Sequence, residues 1–283
     1  MKKLFKALYL ILLTIALVIV MQVFLFASFE VPTDSMEPEI WPGDFVLVNK
    51  LLIGPRIYNN LGLFNGSITP YKRIKGMHPI RRNDILVFDA PYLLLPGTLN
   101  AQTNLFYIKR CIAIPGDTFF IENGFFGIKG YQQPLGNLLQ QLLLSQTPDE
   151  TISKHIFNCF PQDSDNHWNI KDFGPIYIPG KGDAININVN NIAIYRPLIQ
   201  YETGKTIRIE GGSVLLNRES IENYTFTRNY YFMAGDHVAN SDDSRYWGLL
   251  PEDLVVGKAI LIWKSTDPFT HKFRWKRWMK RLK

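Results

Sequence analysis

Tyr107-Ile108-Lys109-Arg110-Cys111-Ile112-Ala113-Ile114-Pro115-Gly116-Asp117-Thr118-Phe119-Phe120-Ile121 carries the architecture in miniature. Two runs rich in β-branched and aromatic residues flank a Pro-Gly-Asp corner, where proline presets φ and glycine admits a positive φ, so the chain reverses into a second strand. The same chemistry recurs at Pro42-Gly43-Asp44, ahead of residues 45–48, and at Pro179-Gly180-Lys181-Gly182-Asp183, ahead of residues 184–189. Residues 85–88, 105–108 and 255–263 are further short apolar runs bounded by turn residues. The expected fold is mainly β, an antiparallel, barrel-like sheet with tight corners. Helix is expected to be scarce in the body. One short helix is expected after Thr147-Pro148-Asp149-Glu150, which has capping-box spacing with proline at the first helical position, running through Ile152 and Ile156.

Residues 7–29 contain no charge, and Lys2, Lys3 and Lys6 precede them. A helix over this run would rise about 1.5 Å per residue and cross a hydrocarbon core of roughly 30 Å. Residues 1–29 are therefore expected to be a cytoplasmic tip and a transmembrane anchor, with the lysines inside and the body exported. A cleaved signal peptide is the alternative, but the apolar run exceeds the usual h-region and its small-x-small exit is poor. Residues 30–121 and 229–265 are expected to form one β domain. Residues 122–228, richer in Asn, Gln and Gly, read as an inserted β-rich subdomain, and 266–283 as a basic aromatic tail.

The whole chain has 283 residues and a formal net charge of +6. Ten of its basic residues lie in 1–29 and 270–283, and the body between carries 21 Lys+Arg against 25 Asp+Glu. No nucleic-acid partner is expected from that balance. In the tail, Phe273, Trp275, Trp278 and Met279 alternate with seven cations, consistent with either a solvated basic end or a segment lying on a lipid surface. Cys111 and Cys159 could pair in an exported domain, although a buried free thiol is the preferred reading of Cys111. His155, Cys159 and His167 lack a fourth ligand and a regular zinc spacing, and Asp163-x-Asp165 lacks the glycine and distal glutamate of a calcium loop. No metal or other cofactor is expected.

Three segments, far apart in the chain, carry the chemistry. Glu30-Val31-Pro32-Thr33-Asp34-Ser35-Met36-Glu37-Pro38 places a serine directly after the apolar run. Lys109 stands in an apolar strand, where it either faces solvent or enters an apolar site that lowers its pKa and makes it a general base. Gly235-Asp236-His237-Val238-Ala239-Asn240-Ser241-Asp242-Asp243-Ser244-Arg245-Tyr246-Trp247-Gly248 has the composition of a loop held by hydrogen bonds and an ion pair.

In this order the three segments resemble those of type I signal peptidases, the S26 family of membrane-bound Ser/Lys endopeptidases, from the apolar run to Trp263. The resemblance implies Ser35 as nucleophile, Lys109 as its base, Ser241 as the hydroxyl that orients the amine, and Asp243 and Arg245 as support. It implies an oxyanion hole made by the Ser35 N–H and the Thr33 hydroxyl; in an extended segment these two side chains share a face and Asp34 points away. It further implies a bacterial plasma-membrane enzyme that cleaves signal-peptide-bearing precursors after small residues, in shallow pockets walled by Phe29, Val31, Met36 and Ile108. Asp34, Cys111 and His237-Val238-Ala239 depart from the residues usual at those positions, and none removes a catalytic atom. The alternatives are a specialised peptidase of this family that matures a narrow set of secreted or pilin substrates, and a non-catalytic anchored binding protein.

Overall fold

Turn chemistry sets the frame. In three corners an aspartate closes the turn on itself: Trp41 N–H donates to Asp44 Oδ2 at 2.8 Å, Ile114 N–H to Asp117 Oδ2 at 2.9 Å, and Gly180 N–H to Asp183 Oδ2 at 2.8 Å. The residue before each aspartate has a positive φ, +83° at Gly43, +90° at Gly116 and +94° at Gly182, which glycine adopts without a Cβ penalty. Arg81-Arg82-Asn83-Asp84 makes a fourth corner of this kind, with Asn83 at φ 69° in the glycine position and Arg81 N–H on Asp84 Oδ2 at 3.0 Å.

In the computed structural model, which describes residues 2–58, 71–95, 98–161 and 167–282, these corners feed one 8-stranded antiparallel sheet. Its strands are β1 (Phe26–Val31), β2 (Asp44–Asn49), β3 (Ile85–Leu95), β4 (Thr98–Ala113), β5 (Tyr230–Ala234), β6 (Leu250–Pro251), β7 (Val255–Ser265) and β8 (Lys280–Arg281). The order is β1-β2-β7-β3-β4-β5-β6, with β8 also paired to β7. β7 thus joins two hairpins, pairing Ser265 with Asp44 on one side and Val255 with Phe88 on the other. Both faces of the sheet are buried near this seam. Ile85 and Val87 pack with Val46, Val48 and Ile262, while Leu86 and Phe88 pack with Cys111, Met233 and Leu250. Burial on both faces explains why residues 85–88 form a continuous apolar run instead of alternating.

The sheet is mainly β and antiparallel as expected, but among the described residues it does not close into a barrel. Register shifts in β7 between Ala259 and Leu261 and between Ile262 and Lys264 accompany its curvature, as bulges bend a strand. The curl brings β1 and β4 face to face, with the Phe29 and Phe106 ring centroids 4.9 Å apart, yet the two strands are not hydrogen-bonded to each other.

The N-terminal apolar run does not form one helix over residues 7–29. Helix α1 covers Lys2–Val20, a π-helical turn covers Met21–Leu25, and Phe26 already pairs with Asn49 in β1. Among the described residues no helix is long and apolar enough to cross a membrane. Pairing with β2 takes residues 26–29 into the sheet, and the first turns of α1 are spent on lysines, so the charge-free part of the helix spans only about 21 Å at 1.5 Å per residue.

Residues 118–228 add a 3-stranded sheet (Thr118–Glu122, Phe125–Ile128 and Phe173–Tyr177), a 2-stranded one (Ala184–Asn186 with Asn223–Thr225) and a second 3-stranded one (Ile207–Glu210, Ser213–Leu216 and Glu219–Ser220). They share a core with the main sheet, in which Phe119, Ile176 and Ile199 pack with Ile112, Phe232 and Ala234. Helix is less scarce than expected here: α2 covers Leu138–Gln146 and α4 covers Ile192–Thr203. The expected capping box is not formed, because Thr147 is the C-cap of α2 and its hydroxyl donates to Leu143 O at 2.8 Å. A 3₁₀ turn at Asp149–Thr151 and the single-turn α3, Lys154–Phe157, follow instead. Both cysteines are free and buried; burial pushes the Cys159 thiol up to about 12 and raises Cys111 as well. His155, Cys159 and His167 line one open cavity, while Asp163 and Asp165 lie outside the described residues.

Candidate active site

Ser35 sits on a loop that leaves β1 at Val31 and returns to β2 at Asp44. The Gly43 N–H donates to Val31 O at 2.8 Å and closes the loop at its base. Within it, Glu37 N–H donates to Asp34 O and Ile40 N–H to Met36 O, both at 2.9 Å. The segment is therefore a turn and not the extended run expected, so strand alternation does not decide which way its side chains point. Met36 and Ile40 are fully buried and fasten the loop to the core.

Lys109 comes from β4, opposite Leu86 of β3. Its Nζ donates to Ser35 Oγ at 2.6 Å, and the two residues are 5% and 7% exposed. Burial pushes the Lys109 ammonium down to about 8, with the Asp243 and Asp242 carboxylates partly opposing the drop. The amine also lies 5.6 Å from the Tyr107 ring centroid, and the Tyr107 hydroxyl donates to Asp242 at 2.9 Å.

The third segment packs behind this pair. Arg110, next to Lys109 on β4, forms a two-pronged pair with Asp236 at 2.7 and 2.6 Å. Asp243 is fully buried, caps the one-turn helix α5 (Ser244–Trp247), and accepts from Gly235 N–H at 3.0 Å and from the Arg245 guanidinium at 2.8 Å twice. Burial alone would raise the Asp243 carboxyl, but the Arg245 guanidinium overrides it and holds the group below its ordinary value. Gly235 has no room for a side chain: a Cβ there would collide with both Ser241 Oγ and Ser35 O. Ser241 is thus placed close to Ser35, but its buried hydroxyl has no hydrogen-bond partner among the described residues, and the expected bond to Lys109 is not made. His237 contributes its backbone N–H, which donates to Ser35 O at 3.1 Å. Its imidazole instead lies 3.4 Å from the Asp34 carboxylate, which also accepts from the Asn240 amide.

Ser35 and Lys109 open on a cleft of about 310 Å³ between β1 and β4. Phe29, Val31, Thr33 and Ile108 line it, and Asp34 lines it too, although it was expected to face away. Met36 does not line the cleft, because the loop turns it into the core. Val46, Val87, Phe106, Tyr107 and Asp242 line the cleft without having been singled out, since their place depends on which strands the curled sheet brings together. Chemically, a largely water-excluded amine with a pKa lowered to about 8, hydrogen-bonded to a hydroxyl, can take that hydroxyl's proton as it attacks a carbonyl.

Residues 4–264 match the family described as signal peptidase, peptidase S26. The chain is 29% identical to the signal peptidase I of Buchnera aphidicola subsp. Schizaphis graminum, over 90% of this chain and 73% of that protein. It is 26% identical to the signal peptidase I of Pseudomonas aeruginosa, over 89% of this chain and 70% of that protein, and 24% identical to that of Aquifex aeolicus, over 94% and 85%. A match that runs through the Ser35 loop, the Lys109 strand and the Gly235 segment means that the chain belongs to the signal peptidase family, peptidase S26.

Proposed function

We propose that the protein is a membrane-held signal peptidase that removes N-terminal signal peptides from exported precursors with a Ser35/Lys109 dyad. The observation that carries the reading is the 2.6 Å contact between Lys109 Nζ and Ser35 Oγ in a buried setting. Ser35 Oγ attacks the scissile carbonyl as neutral Lys109 takes its proton. The lysine returns that proton to the leaving amine, an acyl-enzyme remains, and Lys109 then activates the water that releases it. The Ser35 N–H and the Thr33 hydroxyl hold the developing oxyanion, a contribution of ~3 kcal/mol per donor. The Asp243–Arg245 pair fixes the segment that places Ser241 beside the dyad.

The substrate lies as an added strand in the cleft. β1 ends the sheet on one side, and β4 pairs with β5 from Arg110 onward, so the β1 edge and the stretch of β4 before Arg110 flank the cleft. Backbone pairing with these edges supplies affinity, and the apolar walls at Phe29, Val31 and Ile108 accept small side chains before the cut. Residues 30–121 and 229–265 act as the catalytic unit, with 122–228 as its insertion. The bilayer is a second partner. Leu4, Phe5, Leu8, Ile11, Leu12 and Leu17 of α1 are exposed, and the lysines at the start of α1 stay on the cytoplasmic side while the β-rich body works on the exported side.

The test is to incubate purified Ser35→Ala, Lys109→Ala and Lys109→Arg proteins with a secretory precursor and sequence the new N-terminus. All three lose cleavage, the last because guanidinium does not deprotonate. Retained cleavage in any of them overturns the dyad.

A further inference from the structure

Residues 266–282 lie beyond the stretch matched by the family, and their charges take no part in the site described above. They do not form a loose basic end. A 3₁₀ turn at Trp275–Arg277, with three residues per turn, sets Arg274 and Arg277 on one side and Trp275 and Trp278 on the other. Trp275 and Trp278 face outward, 73% and 54% exposed. Arg274, Arg277 and Lys280 face inward, and among the described residues their side chains donate to residues 39–44, the return limb of the Ser35 loop, and to Thr266 O.

Arg277 is buried and donates from Nε and Nη2 to the fully buried Asp44 carboxylate at 3.0 and 2.5 Å, and from Nη2 to Glu39 O at 2.9 Å. Lys280 Nζ donates to Glu39 O and Glu39 Oε2, both at 3.1 Å. Arg274 donates to Pro42 O and, at 3.0 Å, to Thr266 O. The Arg277 and Arg274 guanidinium carbons lie 4.3 and 5.6 Å from the Trp41 ring centroid. The far end is fixed as β8 pairs with β7 and Leu282 N–H donates to Ile260 O at 3.0 Å.

We propose that residues 266–282 are a strap that positions Ser35 by fixing the return limb of its loop, with Arg277 as the central positioning residue. Asp44 ties the strap to the loop, because the same carboxylate that takes Arg277 also accepts the Trp41 N–H. A buried carboxylate deprived of its cation seeks water, and that movement drags the Trp41–Asp44 turn with it. From there the loop runs through Ile40 and Met36 to Ser35, whose Oγ has to stay in reach of Lys109. A misplacement of about 1 Å in a reacting group costs on the order of 10²-fold in rate. The strap leaves the cleft walls alone, so substrate affinity is unaffected.

The inference rests on the peptidase reading, and the experiment separates the two. Precursor cleavage by the native full-length enzyme and its loss in Ser35→Ala test the peptidase reading. Arg277→Met, assayed per folded molecule as judged by near-ultraviolet circular dichroism, tests the strap. Its turnover falls by ~10–100-fold, KM stays within about twofold, and the alkaline rise of the pH–rate curve keeps its midpoint, because Lys109 is not touched. Asp44→Asn/Arg277→Met, which removes both charges, recovers part of the loss. Lys280→Met, at a half-exposed site, gives a weaker defect of about 3–10-fold on the same pattern, and it decides the matter if Arg277→Met does not fold. Native turnover per folded molecule, or a defect confined to KM, overturns the strap.

Discussion

Replacing Lys109 with methionine makes the protein more stable as it makes it inactive. The native fold holds this amine 5% exposed and pushes its pKa from 10.5 down to about 8, a shift worth about 3 kcal/mol at 1.36 kcal/mol per unit. Below about pH 8 the amine is protonated in both the folded and unfolded chains, and the full penalty weighs on the fold. Between about 8 and 10.5 the folded chain has released the proton and the unfolded chain has not, so native stability rises with pH. Above 10.5 the penalty is gone. Methionine keeps the apolar stem in its strand but removes the charge; it also deprives Ser35 Oγ of its 2.6 Å donor, at a cost of ~1 kcal/mol. The net gain for Lys109→Met is therefore about 2 kcal/mol near pH 6.5, fading to nothing or a slight loss by pH 10.5. Urea unfolding of both full-length proteins in detergent at the two pH values measures it. A variant less stable than native at pH 6.5, or a gain that persists at pH 10.5, refutes the claim that this lysine is held at the expense of the fold.

The rate of precursor cleavage rises tenfold per unit from pH 6 and levels off above about 8, because only the neutral amine is a base and roughly a tenth of it is neutral at pH 7; a midpoint near ~6.5 that vanishes in His237→Ala points to an imidazole base instead. Thr33→Ser retains most activity, whereas Thr33→Val lowers turnover by roughly 10²–10³-fold with little change in KM, and separate measurement of the two parameters distinguishes an oxyanion donor from a residue of the substrate groove. Gly235→Ala drives a methyl group into Ser241 Oγ and Ser35 O, so cleavage drops by at least ~10²-fold while the thermal midpoint changes by only a few degrees; undiminished cleavage means that the Gly235 backbone can retreat from the nucleophile.

Features whose chemistry closes within a few residues were legible in the sequence. The Pro-Gly-Asp corners formed as expected because donor, acceptor and the residue of positive φ all lie within four positions. The Ser35 and Lys109 segments were also singled out correctly for proximity, although nothing local to either one brings them together. What misled were patterns with two uses. Thr147 has the chemistry of an N-cap but closes the preceding helix, and Pro197, inside α4, hides a twelve-residue helix by interrupting its periodicity. The family resemblance put Met36 in a pocket wall, but the turn after Asp34 sends it into the core. The apolar N-terminal run gave no sign that residues 26–29 would be captured by β2, since that preference belongs to the partner strand. The cations of the tail were visible, but their partners, Glu39, Pro42 and Asp44, lie more than 230 positions away.

The place of β7 in the sheet bears on when the protein becomes dangerous to its neighbours. Ser35 follows β1 and Lys109 belongs to β4, and within the sheet the β1–β2 and β3–β4 hairpins are bridged by β7, which starts at Val255. A ribosome delivers Ser35 first and Lys109 some 70 residues later, but the strand that sews their halves together arrives long after both. A nascent or truncated chain therefore holds a serine that is merely an alcohol and a lysine that is merely a cation. Proteolytic competence therefore waits for β7 to take its place between the two hairpins.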